Sequence, residues 1–304
     1  MDQLSLLSCF VRVAESGSFS VAARDLGRSQ SAISQQIRAL EARLNARLVD
    51  RTTRRVSLTE AGTRYLENAK LILEMLAEAD ATVSNLENSM TGRLAVSGPV
   101  NFGTSVLGRF LFEFRQTHPG LQLDVSLSDR FVDLIAEGFD VAIRMGAISD
   151  PNLVVRKIGT VERRLAATPS YLDRVGRPRT PKDLEKLDYV VHSHIKGGER
   201  FTLTNSDGGA EQVSVSPALR SDNSHLICEA IAGGVGVGVI HEILLTPMVA
   251  SGVLEQVLPN WRYEPQLVHA VYPSNRYVPR RVRKFVDGFA AYLHERGALV
   301  EERL

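Results

Sequence analysis

An α/β chain in three parts is what this sequence predicts: a small helical head carrying a β-hairpin, a long connecting helix, and a two-lobed body of β-α units. Three observations predict it. Apolar residues recur at helical steps in three short segments before residue 45, a heptad pattern runs from Thr59 to Met90, and short strand-like runs then alternate with helical ones. With 304 residues, 44% of them apolar and 23% charged, the chain has the length for two domains and the composition of a folded, soluble protein.

The net charge of +1 conceals an asymmetry. Residues 1–64 hold ten arginines against six acids, a net +4, while the remainder holds 26 basic against 29 acidic residues, a net −3. A basic head on a near-neutral body is the electrostatic footprint of a nucleic-acid-binding module. Cys9 and Cys228 lie far apart in helical patterns, with no CxxC partner and no His cluster, so two buried thiols are expected, without disulfide or metal site. No stretch approaches the ~20 apolar residues of a membrane span, and the N-terminus has no charged-then-apolar secretory pattern, so no membrane association and a cytoplasmic location are expected.

In the head, Leu4, Leu7, Phe10, Val11 and Ala14 form one helical stripe, which Gly17 ends, and Ser18 is placed to cap the next helix. Phe19 to Leu44, FSVAARDLGRSQSAISQQIRALEARL, then holds two short helical patterns around a tight turn. Ala22, Ala23 and Leu26 belong to the first pattern, Gly27 supplies left-handed backbone, and Ser29 caps the second. That is a helix-turn-helix signature. Ile33, Ile37, Leu40 and Leu44 stack on one face of the second helix. Ser29 and Gln30 at its start, with Ser31, Ser34, Gln35 and Arg38, form an outward set without a carboxylate. These residue types hydrogen-bond base edges or phosphates in a major groove, although a plain solvated face would contain them too. Next, LVDRTTRRVSL reads as a hairpin wing bearing Arg51, Arg54 and Arg55. A salt-bridged loop is the alternative, but no acid follows Asp50 there, so contact with a minor groove or its phosphates is the better reading. Double-stranded DNA is the expected partner.

From Thr59, an N-cap, to Met90 the pattern Tyr65, Ala69, Ile72, Leu76, Ala79, Val83, Leu86 and Met90 sustains a seam for about four heptads and predicts coiled-coil pairing with a second copy. Beyond Thr91 and Gly92, RLAVS, LQLDVSL and DVAIR are strand-like runs alternating with helical stretches around Leu107–Phe114 and Phe131–Ile135. This is βαβ organisation and demands a mainly parallel sheet covered by helices. The pattern restarts around Glu162–Leu172 and continues through YVVH, a polar hairpin near Arg200–Ser216, the helix HLICEAIAGG and the strand GVGVI. QLVHAVYP and VPRRVRKFVDGFAAYL give a last strand and a long amphipathic helix.

In open α/β sheets ligands sit beyond strand C-termini, near helix N-termini. That rule selects Ser97, Gly98, Pro99, Asn101 and Thr104 after the first strand, Arg144 and Met145 after DVAIR, His192 and Ser193 after YVVH, and Asn223 and Ser224 at the start of the later helix. Each has a plainer alternative: Ser97 or Ser224 as a helix cap, Arg144 paired with Asp140 or another acid, His192 as a structural histidine. A free Arg144 would favour a carboxylate-bearing ligand.

AARDL, SQSAISQQI, RALEARL and LVDRTTRRVSLTEAG, in that order and spacing, resemble the LysR-type transcriptional regulators. Asn45 stands where that family usually has Gly and Val49 where it usually has Phe; Asn tolerates left-handed backbone and Val keeps the site apolar. The resemblance implies a winged helix-turn-helix DNA-binding domain at 1–58, a dimerising linker helix at 59–90, and an effector-binding domain at 91–304. That domain would have two subdomains resembling periplasmic solute-binding proteins, 91–161 plus 266–304 and 162–265, with the loop after its first strand and the segment leading into the later helix lining the effector pocket. It further implies dimers or tetramers on an imperfect palindromic operator, a small-molecule effector and no cofactor, and it admits RNA polymerase as a further partner.

Readings of other classes fare worse. The glycines of GGVGVGV, Gly233 to Val239, follow a helix and open a strand, the reverse of a dinucleotide fingerprint, and the chain has no GxSxG, HExxH or P-loop, so no enzyme is expected. A transported-solute receptor would not carry a DNA-binding head. An architectural DNA protein would not spend most of its length on a cleft-forming body. The expected protein is a sequence-specific, ligand-responsive transcriptional regulator.

Overall fold

The computed structural model describes residues 2–51, 56–83, 90–148, 150–151, 153–193, 199–273 and 278–300. The chain divides into two compact units, residues 1–88 with 277–280, and residues 89–276 with 281–304.

The first unit opens with α1 (Gln3–Ser16), α2 (Phe19–Asp25) and α3 (Gln30–Leu44). Asp2, Ser18 and Ser29 each accept a hydrogen bond from a first-turn amide, satisfying donors the helix itself leaves unpaired. Asn45 ends α3 in the left-handed region at φ 49°, so it does the work of the glycine it replaces. Leu7, Phe10 and Val13 of α1 and Ile33, Ile37 and Leu40 of α3 are fully buried together, with Val49 beside them. The hairpin forms as expected: β1 (Val49–Arg51) pairs antiparallel with β2 (Val56–Leu58), Val49 opposite Leu58. Glu41 aims the chain into it by accepting from the amides of Leu48 and Val49, at 2.9 and 3.1 Å.

Helix α4 (Glu60–Val83) comes next, with Thr59 Oγ1 accepting from the amide of Gly62 at 2.9 Å. The heptad seam divides here, contrary to its expected single use. Tyr65 and Ala69 belong to the core of the head itself, the Tyr65 ring lying 5.7 Å from that of Phe10. Ile72, Met75 and Leu76 are exposed at 44%, 49% and 39%, an unpartnered apolar stretch. Leu86 lies outside the described residues, and Met90 is buried outside any helix, so the seam does not extend to it as helix.

The second unit is built on one large sheet whose main path of strands runs 216–221, 188–192, 237–241, 153–167, 261–273, 141–145, 91–98 and 120–127. Its first half holds β3 (Thr91–Gly98), β4 (Gly120–Leu127) and β5 (Val141–Met145), with β3 parallel to both neighbours. Between β3 and β4 runs an unbroken helical stretch of α5 (Val100–Phe102), a π-turn (Gly103–Leu107) and α6 (Gly108–Thr117). The expected helix at Phe131–Ile135 is instead a loop and turn, because Asp133 accepts from the amides of Ile135 and Ala136 and closes the chain locally.

The second half holds α7 (Pro169–Val175), β7 (Asp188–His192), the hairpin β8 (Arg200–Asn205) and β9 (Ala210–Ser214), β10 (Ser216–Ser221), α8 (Ser224–Ala232), β11 (Val237–His241), α9 (Glu242–Ala250) and β12 (Glu255–Val257). Strands β10 and β12 and helix α9 were not expected. The glycines of GGVGVGV serve close packing: a Cβ on Gly236 would stand 2.4 Å from the Asp188 carbonyl oxygen, and one on Gly238 2.3 Å from Ile231 Cδ1.

Two long strands join the halves, β6 (Leu153–Ala167) and β13 (Trp261–Pro273), antiparallel to each other. The restart expected near Glu162 is therefore the far end of a strand that begins at Leu153. Helix α10 (Arg280–Glu295) returns to the first half, where Phe285, Phe289 and Tyr292 cluster around Phe110 at 5.3–5.6 Å. A separate core under the second half gathers Leu165, Tyr171, Tyr189, Phe201 and Tyr263. No helix among the described residues is long and apolar enough to cross a membrane.

The tightest approach in the first unit is at Gly62, where an added Cβ would stand 2.0 Å from the backbone oxygen of Leu48. Since backbone must move to admit it, Gly62→Ala is expected to destabilise this unit by about 1–3 kcal/mol in denaturant unfolding. An unchanged midpoint would contradict this packing.

Candidate functional site

Each unit carries a candidate site. On the first, the cap at Ser29 and the buried Ile33–Ile37–Leu40 face together decide which side chains of α3 point outward. Ser29, Gln30, Ser31, Gln35 and Arg38 are exposed and Ser34 is half-buried, so the expected set does share one surface. It is partly ordered by its own contacts: Ser20 Oγ donates to Gln30 Oε1 at 3.2 Å, and the hydroxyls of Ser29 and Ser31 are 2.9 Å apart. Arg51 ends β1, while Arg54 and Arg55 lie outside the described residues.

The second unit holds a cavity of about 690 Å³ between its halves. Pro99, Asn101, Arg144, Met145, His192 and Ser224 line it, as the strand-end rule anticipates. Five expected residues do not, Gly98 among them. Ser97 is fully buried behind the wall, accepting from Arg144 Nη2 at 3.1 Å, and so orients a lining residue. Thr104 turns back to donate to the carbonyls of Val100 and Asn101. Ser193 is tied through its amide to Ser221, and Asn223 is the exposed cap of α8, accepting from Leu226 at 2.9 Å.

Arg144 is not paired with Asp140, which faces Arg281 instead. Its guanidinium donates to the Ser128 carbonyl at 3.0 Å and to Ser97, and burial lowers its pKa against the opposing pull of Asp129 and Glu137. The residue joining the two halves is one that sequence reasoning missed. Asp129 accepts from the Val100 amide at 2.9 Å on one side, and from the Ser224 amide and hydroxyl at 2.6 and 3.0 Å on the other. Ser224 Oγ in turn accepts from the Asn101 amide at 3.0 Å. A carboxylate thus bridges the starts of two helical segments, where unpaired amides favour negative charge.

The opposite wall was also missed: Arg163, Tyr263 and Gln266 sit within strands, and His241, at the end of β11, was the one residue the strand-end rule could have found. Arg163 of β6 stands opposite His241 of β11 on one side and Tyr263 of β13 on the other. Its Nε donates to the Glu264 carbonyl at 2.7 Å, and its guanidinium lies 4.6 Å from the Tyr263 ring centre. His241 Nε2 meets Gln266 Oε1 at 2.8 Å. Cys228 lines the cavity too, its thiol pushed up by burial, and Cys9 is buried in the head with a pKa of about 11. Neither has the character of a reactive thiolate.

The comparisons divide the chain in the same way. Residues 4–63 match the family model described as "Bacterial regulatory helix-turn-helix protein, lysR family". Residues 87–293 match "LysR substrate binding domain". An "HTH-type transcriptional regulator" of Xanthomonas campestris pv. campestris is 35% identical over 286 residues, 91% of this chain and 82% of that protein. An "Uncharacterized HTH-type transcriptional regulator YhjC" of Escherichia coli K12 is 35% identical across 97% of this chain and 99% of its own. Among solved structures, CrgA, a LysR-type transcriptional regulator from Neisseria meningitidis, has a TM-score of 0.61 at 28% identity, covering 95% of this chain and 98% of that one.

Burial holds the pKa of His241 down from 6.5 to about 4. Below about pH 6.5 the unfolded chain takes up this proton while the folded one resists until about 4, so stability present near neutrality is lost as pH falls through that window. Replacing His241 by Gln should remove about 3 kcal/mol of the stability lost between pH 7 and 4, read from urea midpoints of both proteins. Parallel pH profiles would contradict the burial.

Proposed function

The chain belongs to the LysR family of bacterial helix-turn-helix transcriptional regulators, with a DNA-binding head and an effector-binding domain, and from that premise we propose how its residues divide the work. In this reading α3 enters the major groove, with Gln30, Gln35 and Arg38 reading base edges while Ser29, Ser31 and Ser34 hold phosphates or orient their neighbours. The wing arginines Arg51, Arg54 and Arg55 grip the backbone beside it. Two copies pair through the exposed Ile72–Leu76 stretch of α4 and set two recognition helices on an imperfect palindrome. Assembly into tetramers, contact with RNA polymerase and a cytoplasmic location belong to the same proposal.

The observation that carries the ligand half of the reading is the cavity between the two halves of the second unit, lined from both and bridged by Asp129. A small molecule that favours one degree of closure over another shifts that equilibrium, and so alters how paired copies bend or space their half-sites. No cofactor, metal or catalytic group enters the proposal. Among the described residues no group of three His, Cys, Asp or Glu side chains could hold a metal ion.

Operator titrations over a range of salt test the DNA half. Gln30→Ala and Arg38→Ala should each weaken specific binding by about 1–3 kcal/mol with little change in salt slope. Arg54→Ala should weaken all sequences alike and reduce that slope by about 1. Indistinguishable titrations for all three would contradict the assignment.

A further inference from the structure

Resting on the reading of this cavity as the effector site, we propose that the effector is a small organic monocarboxylate with an apolar body. Its carboxylate is seated against Arg163 and Tyr189 on the wall of the second half, and not at the helix starts.

The helix starts are already filled. Asp129 takes the amides of Val100 and Ser224 and the Ser224 hydroxyl, so the protein's own carboxylate stands where an incoming anion would otherwise dock. Arg144 is committed as well, donating to the Ser128 carbonyl and to Ser97.

Arg163 differs. It is 8% exposed, and its one hydrogen bond leaves from Nε to a neutral carbonyl, so both Nη groups lack an acceptor among the described residues. Neighbouring acids form their ion pairs elsewhere, Glu162 with Arg262 and Glu242 with Arg164, and the exposed Glu264 acts on Arg163 through its charge without an ion pair among the described residues. A buried guanidinium without an anion is costly, and a carboxylate matches its planar fork with two charge-assisted bonds. Tyr189, on the same wall, is 2% exposed, and its hydroxyl is buried with no hydrogen-bond partner among the described residues. Burial keeps that phenol protonated, its pKa well above the ordinary value, so it has a proton to donate and nothing to receive it.

The charge balance selects a monoanion. Of the cations lining the cavity, Arg144 is opposed by Asp129 and Arg130 faces Asp222, while His241 is neutral above about pH 4, which leaves Arg163 as the cation that one incoming carboxylate would answer. Phe102, Phe131, Ile227 and Leu244 supply apolar wall for the rest of the molecule.

Calorimetry on the full-length protein decides this, with benzoate, phenylacetate and hexanoate as probes, each against its primary amide of nearly the same shape. At least one acid should bind about tenfold or more tighter than its amide, the worth of a charge-assisted hydrogen bond. Arg163→Gln should bring that ratio within about threefold, and Tyr189→Phe, which keeps the ring packing and removes only the orphan hydroxyl, should lower acid affinity about three- to tenfold while sparing the amide. Acids that all fail to outbind their amides at millimolar concentration, or a ratio untouched in both variants, would overturn the proposal. Amides that bind as well as acids would sink this seat and leave the cavity a ligand site. An acid that binds without altering operator affinity would keep the seat and refute ligand control.

Discussion

The second unit depends on the pairing of β6 with β13, because these two strands alone among the described elements run through both halves of its sheet. Their register shifts by one residue between Tyr263 and Gln266, and again between Val268 and His269. Such bulges bend and twist paired strands, and Pro265, which has no amide to give, sits within the first. One continuous sheet is thereby divided into two lobes that face each other. The cleft is a consequence of where the ladder slips.

Asp129 links the two halves away from that seam. Its carboxylate ties the helical segment after β3 to the start of α8, while Ser224 passes a further bond to Asn101. The two walls of the cavity are therefore chemically unlike. On one, Asp129 is held by amides and a hydroxyl and Arg144 by a carbonyl and Ser97; the other keeps Arg163 and Tyr189 buried with donors unspent. A ligand of opposite charge is the cheapest remedy for the second wall, and binding there bears on the same strands that set the angle between the lobes.

Much of this was legible in the sequence, for physical reasons that differ from element to element. Caps, turns and the apolar stripes of α1 and α3 are local, so Ser18, Gly27, Ser29 and Asn45 declare their roles within a few residues. The outward face of α3 follows from the buried one by geometry alone. The cavity residues at strand ends followed from topology, which is why Pro99, Asn101, Arg144 and Ser224 were found. Arg163 and Tyr189 were not, since a polar residue inside a strand pattern reads as solvent-facing until its cross-strand neighbours are known, whereas His241 ends β11 and lay within reach of the same topological rule. Asp129 was missed for a related reason: its partners lie 29 and 95 positions away. Phe131–Ile135 failed as a helix because apolar spacing cannot reveal that Asp133 will take the local amides. The heptad seam was real as a pattern but divided in use, Tyr65 and Ala69 being drawn into the head's own core.

The central claim is that the two halves of the effector domain are coupled through Asp129, and amide hydrogen exchange of Val100, Asn101 and Ser224 tests it directly. In Asp129→Ala all three amides should lose protection together, by about tenfold or more for the bonds removed, including Asn101, whose own partner is Ser224 and not Asp129. Wild-type protection at Asn101 with loss at the other two would show independent local contacts and no coupling across the cleft.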